Sequence, residues 1–217
     1  MRKTGIFIPG RLGSERLPNK LTLPLGDSCL WDIACKKLNE LPEQYNKYAL
    51  CYDEELVEIA SKYENIKVIV RDKRTTEVDG PLTFIFKELE QVEDDYLMFL
   101  NPCLSLLSID TILTSLTAFN FSHYDCATSV KRYQNWLWNK DHKPLTPIDY
   151  DRLSTKEIPV HMEAAHCFHI FNREEFFKTG NMLNQNLGLI SVPSDELMDI
   201  DTPNDYQYAS WVHENKL

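Results

Sequence analysis

The feature that most restricts this chain is an alternation of short apolar runs with segments of helical spacing, repeated through its first half. Gly5 to Ile8, Lys47 to Cys51, Ile66 to Val70 and Tyr96 to Leu100 read as buried strands. Helices are predicted from near Leu30, with Leu30, Ile33, Ala34, Lys37 and Leu38 on one face, and after an Asp53 N-cap, with Leu56, Ile59, Ala60 and Tyr63. Leu82, Ile85, Phe86 and Leu89 share the face of a third. Ser108 or Asp110 opens a fourth that turns Ile112, Leu113, Leu116 and Phe119 inward. Strands that alternate with helices pair in parallel through crossover connections, so the expected fold is α/β with three layers. The β-branched run at 66–70 predicts a strand covered on both faces. A length of 217 residues suits one well-buried domain, expected to span 1–217.

The rhythm changes after residue 125. Asp125 to Lys131 reads as a strand, but 132–161 is rich in Trp, Tyr, Pro and charge without a helical period. Trp136, Trp138 and Tyr150 are too apolar for a free linker. They imply an excursion that packs either on a second copy of the chain or on its own domain. Ala165 to Phe171 returns as a strand, Asn172 caps a short helix through Phe176 and Phe177, and Leu187 to Val192 is a last strand.

Net charge is −10, which opposes nucleic acid or an anionic membrane as the main partner, because both require a basic face. No apolar run approaches the ~20 residues of a membrane span and the N-terminus lacks a signal-peptide core, so a cytoplasmic location is expected. The six cysteines are scattered without a Cys-x-x-Cys pair, which predicts reduced thiols. His161, His166 and His169 fall in a strand region without zinc-site spacing.

Against this acidic background, Gly10-Arg11-Leu12-Gly13-Ser14-Glu15-Arg16-Leu17-Pro18-Asn19-Lys20 is locally basic and follows the first strand. Glycines let a backbone turn tightly, and successive amides in such a turn form an anion nest. Gly10, Leu12, Gly13 and Ser14 would supply that nest, and Arg11, Arg16 and Lys20 mobile positive charge, for a polyphosphate. This is neither a Walker loop nor a Gly-x-Gly-x-x-Gly fingerprint. The second informative segment is Asp199-Ile200-Asp201-Thr202-Pro203-Asn204-Asp205. Thr202, Pro203 and Asp205 read as a helix start, with a hydroxyl N-cap and an acid at the third position. The two-residue spacing of Asp199 and Asp201 sends both carboxylates to one side and Ile200 to the core. Paired carboxylates suit Mg²⁺, whose other positions are filled by water and phosphate oxygens.

These motifs resemble those of the cytidylyltransferases that activate acidic sugars, the enzymes for sialic, legionaminic and pseudaminic acids and, more distantly, Kdo. Ile8 to Lys20 is similar to their Pro-Ala-Arg-x-Gly-Ser-x-x-Leu-Pro-x-Lys, Asp53 to Ala60 to their second-helix entry, and Leu100-Asn101-Pro102 to their Leu-Gln-Pro. Asp199-Ile200-Asp201-Thr202 with Asp205 is similar to their closing metal motif. The resemblance implies a Rossmann-like nucleotidyltransferase fold in which a sugar hydroxyl attacks the α-phosphorus of CTP and pyrophosphate leaves. It implies that Arg11 and Lys20 hold the phosphates, that Asn19 and Arg71 lie near base or ribose, and that Asn101 lies beside the sugar. Asp199 and Asp201 would bind Mg²⁺, with Arg11, Lys20 and Asp201 as catalytic candidates, and 132–161 would be the dimerisation arm of a homodimer. Departures are Glu15 in the basic loop, Cys103 to Leu107 in place of Thr-Ser-Pro-Leu-Arg, and His161 to His166 where many relatives carry Asn-Gly. Two other readings stay open: a sugar phosphate or phosphonate as acceptor, and a nucleotide-binding homologue without turnover.

Overall fold

The computed structural model describes residues 2–77 and 80–215. Strand β1 (Thr4–Pro9) is followed by a small hairpin, β2 (Pro24–Leu25) and β3 (Ser28–Cys29), and by helix α1 (Leu30–Glu40). Then come β4 (Asn46–Cys51), α2 (Glu54–Ala60), β5 (Lys67–Val70), the short helices α3 (Arg74–Glu77) and α4 (Leu82–Ile85), β6 (Tyr96–Leu100) and α5 (Ile109–Asn120). The second half holds β7 (Cys126–Tyr133), β8 (His161–Asn172), α6 (Arg173–Thr179), β9 (Leu187–Ser191) and α7 (Pro203–Asn215). Among the described residues the main sheet has seven strands in the order β5-β4-β1-β6-β8-β7-β9. Every neighbouring pair is parallel except the two that involve β8, which runs antiparallel to β6 and to β7.

The period-2 alternation along β1 divides the core. Ile6 and Ile8 face a cluster that includes Trp31, Leu38, Leu56, Leu116 and Ala209 from α1, α2, α5 and α7. Phe7 points the other way, into a cluster with Phe86, Leu89, Phe171 and Phe176. Its ring meets Phe86, Phe99 and Phe171 edge-on at 5.2, 5.7 and 6.3 Å, the geometry that aromatic quadrupoles favour. Helices thus cover both faces of the sheet, as the alternation in the sequence requires.

Three local expectations change. Residues 66–70 do not form a strand covered on both faces: β5 is an edge strand, Val70 is 60% exposed, and the buried Ile66 precedes it. The helix expected through Leu89 stops at Ile85 and resumes as a 3₁₀ turn over Lys87–Gln91, leaving Leu82 exposed. The cause is visible in the hydrogen bonds. Arg71 Nη2 takes the Ile85 carbonyl at 2.9 Å, and the Leu89 amide bonds to Phe86 O instead. The third change lies in 132–161, which β7 and β8 enter from both ends by pairing Arg132 with Met162 and Tyr133 with His161. The remainder folds back locally, with a bridge between Trp138 and Pro144 and Gln134 Nε2 donating to Ile158 O at 2.8 Å. All six cysteines are unpaired. No helix among the described residues is long and apolar enough to cross a membrane.

Candidate functional site

β1, β4, β5 and β6 are parallel, so the loops after Pro9, Cys51, Val70 and Leu100 leave the sheet at one edge. That edge is where ligands gather in α/β sheets. The basic loop is built on a ring. Trp31 is fully buried beneath it, with Nε1 donating to Leu56 O at 2.9 Å, and its backbone N–H reaches Leu21 O at 2.8 Å. A Cβ on Gly10 would sit 2.9 Å from two Trp31 ring carbons and 3.0 Å from Leu56 Cδ1. Gly10 is therefore glycine because of close packing, whereas Gly13 faces open space. We expect Gly10→Ala to cost about 1–3 kcal/mol and Gly13→Ala to stay within about 0.5 kcal/mol of wild type in urea unfolding. Equal midpoints for the two variants would contradict this account.

The loop amides alternate. Gly10 N–H donates to Leu50 O, Leu12 N–H to Asp53 Oδ2 and Ser14 N–H to Leu12 O, at 2.8, 3.1 and 2.8 Å. The amides of Arg11 and Gly13 find no acceptor among the described residues. The nest of successive amides expected from the sequence is therefore reduced to alternate ones. Asp53 sits at the N-cap position of α2 without making the cap hydrogen bond, because its carboxylate holds Leu12. Asn19 adopts a left-handed φ of 55°, and its carbonyl accepts from Thr22 N–H at 2.9 Å. Arg11 is exposed and reaches Thr76 O at 3.4 Å, while Glu15 is exposed. Arg71 is only 4% exposed, with Nε and Nη2 on Thr75 and Nη2 on Ile85 O. Its guanidinium ties Thr75 to Ile85.

The end of the chain closes on this loop. Lys20 Nζ donates to Asp201 Oδ1 at 2.8 Å, and Arg16 Nη2 meets Asp201 Oδ2 at 2.7 Å. Lys20 is the more enclosed of the two cations, with a side chain 15% exposed against 68% for Arg16. Desolvation pulls the Lys20 ammonium down, but Cys103 and Asp201 outweigh it and leave its pKa above the ordinary value. α7 begins as the sequence predicts. Asp205 Oδ2 accepts from Thr202 N–H and Oγ1 at 2.7 and 2.8 Å, and Thr202 Oγ1 accepts from Asp205 N–H at 3.3 Å. Ile200 is 1% exposed and its N–H bonds to Cys103 O, so Asp199 and Asp201 are fixed beside the loop after β6.

Asp199 is partly buried. Burial, then the charge of Asp201, push its pKa above the usual carboxylate range. Its Oδ2 accepts from Asn101 Nδ2 at 3.1 Å, whereas Oδ1 is buried without a hydrogen-bond partner. Two converging carboxylates with one orphaned oxygen fit a hard divalent cation such as Mg²⁺. Among the described residues no group of three His, Cys, Asp or Glu is placed to hold a metal. A cation here would therefore complete its shell with water and phosphate oxygens.

Residues beyond the predicted set shape the rim. Ser129, fully buried, accepts from the amides of Cys167 and Phe168 at 2.8 and 3.1 Å and so pins a bulge in β8, where His166 has a φ of 52°. Leu107, at the last position of the segment that departs from the resembled motif, is buried in the core. A cation still reaches this loop from behind: Lys37 Nζ donates to the carbonyls of Leu104 and Ser105, and burial lowers its pKa to about 8. A hydroxyl in a strand and a lysine on an apolar helix face carry no motif, and only the fold reveals them. A cavity of about 620 Å³ lies at the opposite ends of the strands, among Asn46, Lys67 and Val92, and none of the sequence motifs reaches it.

His169 stacks on Phe99 at 5.8 Å and shares a 2.9 Å hydrogen bond through Nδ1 with Thr128 Oγ1. Burial, then the neighbouring His166, lower its pKa from 6.5 to about 4. A histidine whose folded pKa is depressed favours folding above its unfolded value, and that contribution is lost as pH falls through the folded one. Between pH 6.5 and 4 the protein should lose up to about 3 kcal/mol that a His169→Gln variant does not lose. Parallel urea midpoints for the two proteins across that window would refute the assignment.

Solved structures share this architecture. CMP:2-keto-3-deoxy-manno-octonic acid synthetase complexed with CTP superposes with a TM-score of 0.69 at 14% identity, over 99% of this chain and 100% of its own. A 4-diphosphocytidyl-2C-methyl-D-erythritol synthase from Anaerococcus prevotii gives 0.68 at 10% identity, over 98% and 96%. A cytidylyltransferase from Leptospira borgpetersenii gives 0.65 at 17% identity, over 100% and 89%. No curated protein matches the sequence. The model of the cytidylyltransferase family matches residues 6–181, and the chain belongs to that family of nucleotidyltransferase enzymes.

Proposed function

We propose that this cytidylyltransferase transfers CMP from CTP to an acidic sugar of the sialic acid type, with Mg²⁺, and releases pyrophosphate. The observation that carries the reading is the Lys20–Asp201–Arg16 cluster, in which the first loop and the last motif meet across 181 positions of sequence. Arg11, Arg16 and Lys20 neutralise the triphosphate, and Asp199 and Asp201 hold the cation. When bound, Mg²⁺ supplies charge stabilisation at the phosphoryl oxygens and lowers the pKa of a coordinated hydroxyl. Positioning and electrostatics supply most of the catalysis in phosphoryl transfer, so fixed cations around a fixed acid pair suit the reaction.

The family description and a neighbour described as complexed with CTP support the nucleotide. We further propose a homodimer joined through 132–161, where Trp138, Leu145, Tyr150 and Leu153 are each at least half exposed. The buried Leu107 favours a second reading of the acceptor: with no arginine there, a sugar phosphate or phosphonate could be recognised by other cations.

A thermal-shift screen of the four NTPs with Mg²⁺ tests the nucleotide, since a ligand that binds only the folded state raises the melting temperature. A shift selective for CTP is expected. Pyrophosphate release is then measured with a panel of keto-acid sugars, sugar phosphates and phosphonates. Release with phosphates alone moves the acceptor to the second reading, and binding without release to any acceptor overturns the transferase proposal.

A further inference from the structure

Asn101 directly follows β6, where three segments of chain meet, and its side-chain amide is oriented by its surroundings. Oδ1 accepts from the Cys103 N–H at 2.9 Å, so the opposite end must be the NH₂ group. The two hydrogens of that group go to Asp199 Oδ2 at 3.1 Å and the His166 carbonyl at 3.2 Å. The Cys103 N–H can only donate, and the His166 carbonyl and an ionised Asp199 can only accept, so no other orientation of the amide satisfies all three contacts. The frame around it is stiff. The Cys103 carbonyl accepts from Ile200 N–H at 3.1 Å, which ties the loop that orients Asn101 to the segment that carries Asp199. His166, in its left-handed conformation, belongs to the bulge that Ser129 pins from within the sheet.

The consequence falls on Asp199. One oxygen is tethered by Asn101, and the other is the buried one without a partner. A carboxylate beside a second carboxylate would otherwise swing away from it, since like charges at short range repel. Resting on the metal reading above, we propose that Asn101 is a positioning residue that holds Asp199 and leaves its Oδ1 as the oxygen available to the cation. The amide is thereby committed to the acid pair and not to the acceptor sugar. Outer partners of metal-binding carboxylates typically contribute about 10–100-fold in metal affinity, and that is the effect expected here.

The test uses CTP and Mg²⁺ as probes and the full chain. Calorimetry gives the CTP affinity of wild type with and without Mg²⁺, and the ratio measures the coupling between nucleotide and metal. Asn101→Leu, which keeps the bulk and loses the donors, should reduce that coupling at least about 10-fold with metal-free CTP affinity unchanged. Half-saturating Mg²⁺ in turnover should rise by a similar factor, and excess Mg²⁺ should restore kcat. Asn101→Ala serves as the second variant if the leucine is not accommodated, and melting curves confirm that each is folded. A variant whose Mg²⁺ dependence matches wild type overturns the proposal, as does one that raises only the KM for the acceptor. Metal-free CTP affinity falling by the same factor as the Mg²⁺-supported affinity overturns it too, because a merely structural role has that signature. If wild type itself shows no coupling between Mg²⁺ and CTP, the metal reading fails, and this inference with it.

Discussion

Asp201→Asn is expected to give a folded protein that releases pyrophosphate from CTP on the order of 10³-fold more slowly than wild type. The fold should tolerate the change. Asp201 is partly exposed, its partner Arg16 is largely exposed, and an ion pair of that kind contributes about 0–1 kcal/mol. The start of α7 beside it depends on Asp205 and Thr202, whose mutual hydrogen bonds do not involve the Asp201 side chain. What the substitution removes is the negative charge opposite Lys20 and Arg16 and, on the proposed metal role, one of two anionic ligands. A coupled pyrophosphate assay and a melting curve on the same preparation separate the two effects. Turnover close to wild type would falsify the role given to Asp201, and loss of the cooperative melt would make it a structural residue.

Much of this arrangement is legible in the sequence, for reasons that differ by element. The strands of the parallel half are nearly continuous apolar runs, and their boundaries emerge within a residue or so: Asn46–Cys51 against an expected Lys47 to Cys51, and Tyr96–Leu100 as expected. The opening of α7 is legible because its signal is local: a hydroxyl, a proline and an acid at fixed offsets. The pairing of Lys20 with Asp201 is of another kind. Nothing in either segment names the other. Their meeting follows from loops collecting at one edge of a parallel sheet, and from a final motif whose apolar Ile200 must point inward.

What the sequence hides is long-range and polar. Asp53 has the sequence signature of a helix cap, yet its carboxylate is used by an amide 41 residues away. Arg71 breaks a helix by taking its carbonyl, an event with no trace in the spacing of Leu82, Ile85, Phe86 and Leu89. The bulge that places the His166 carbonyl against Asn101 depends on one serine hydroxyl in the next strand. Amphipathic periodicity reports which face is buried. It does not report where a buried polar group finds its partner, although most such groups find one.

Lys20→Met should weaken activity on the order of 10²–10³-fold, through loss of a charge in a partly enclosed place. Lys20→Arg should restore little of it. The ammonium sits between Cys103 and Asp201 with a side chain only 15% exposed, and a planar guanidinium does not occupy the room of a compact point charge. Stability and activity should respond differently when the two changes are combined. Lys20→Met alone leaves the Asp201 carboxylate with Arg16 as its remaining cation, so a modest loss of about 1 kcal/mol is expected. Adding Asp201→Asn removes the charge left behind and should return part of that loss. In activity the double variant should be little worse than the poorer single one, because groups that act as one unit are not additive. Rate losses that multiply instead would mean that Lys20 and Asp201 serve separate steps, and the contact between the chain's first loop and its last motif would then not be the centre of the site.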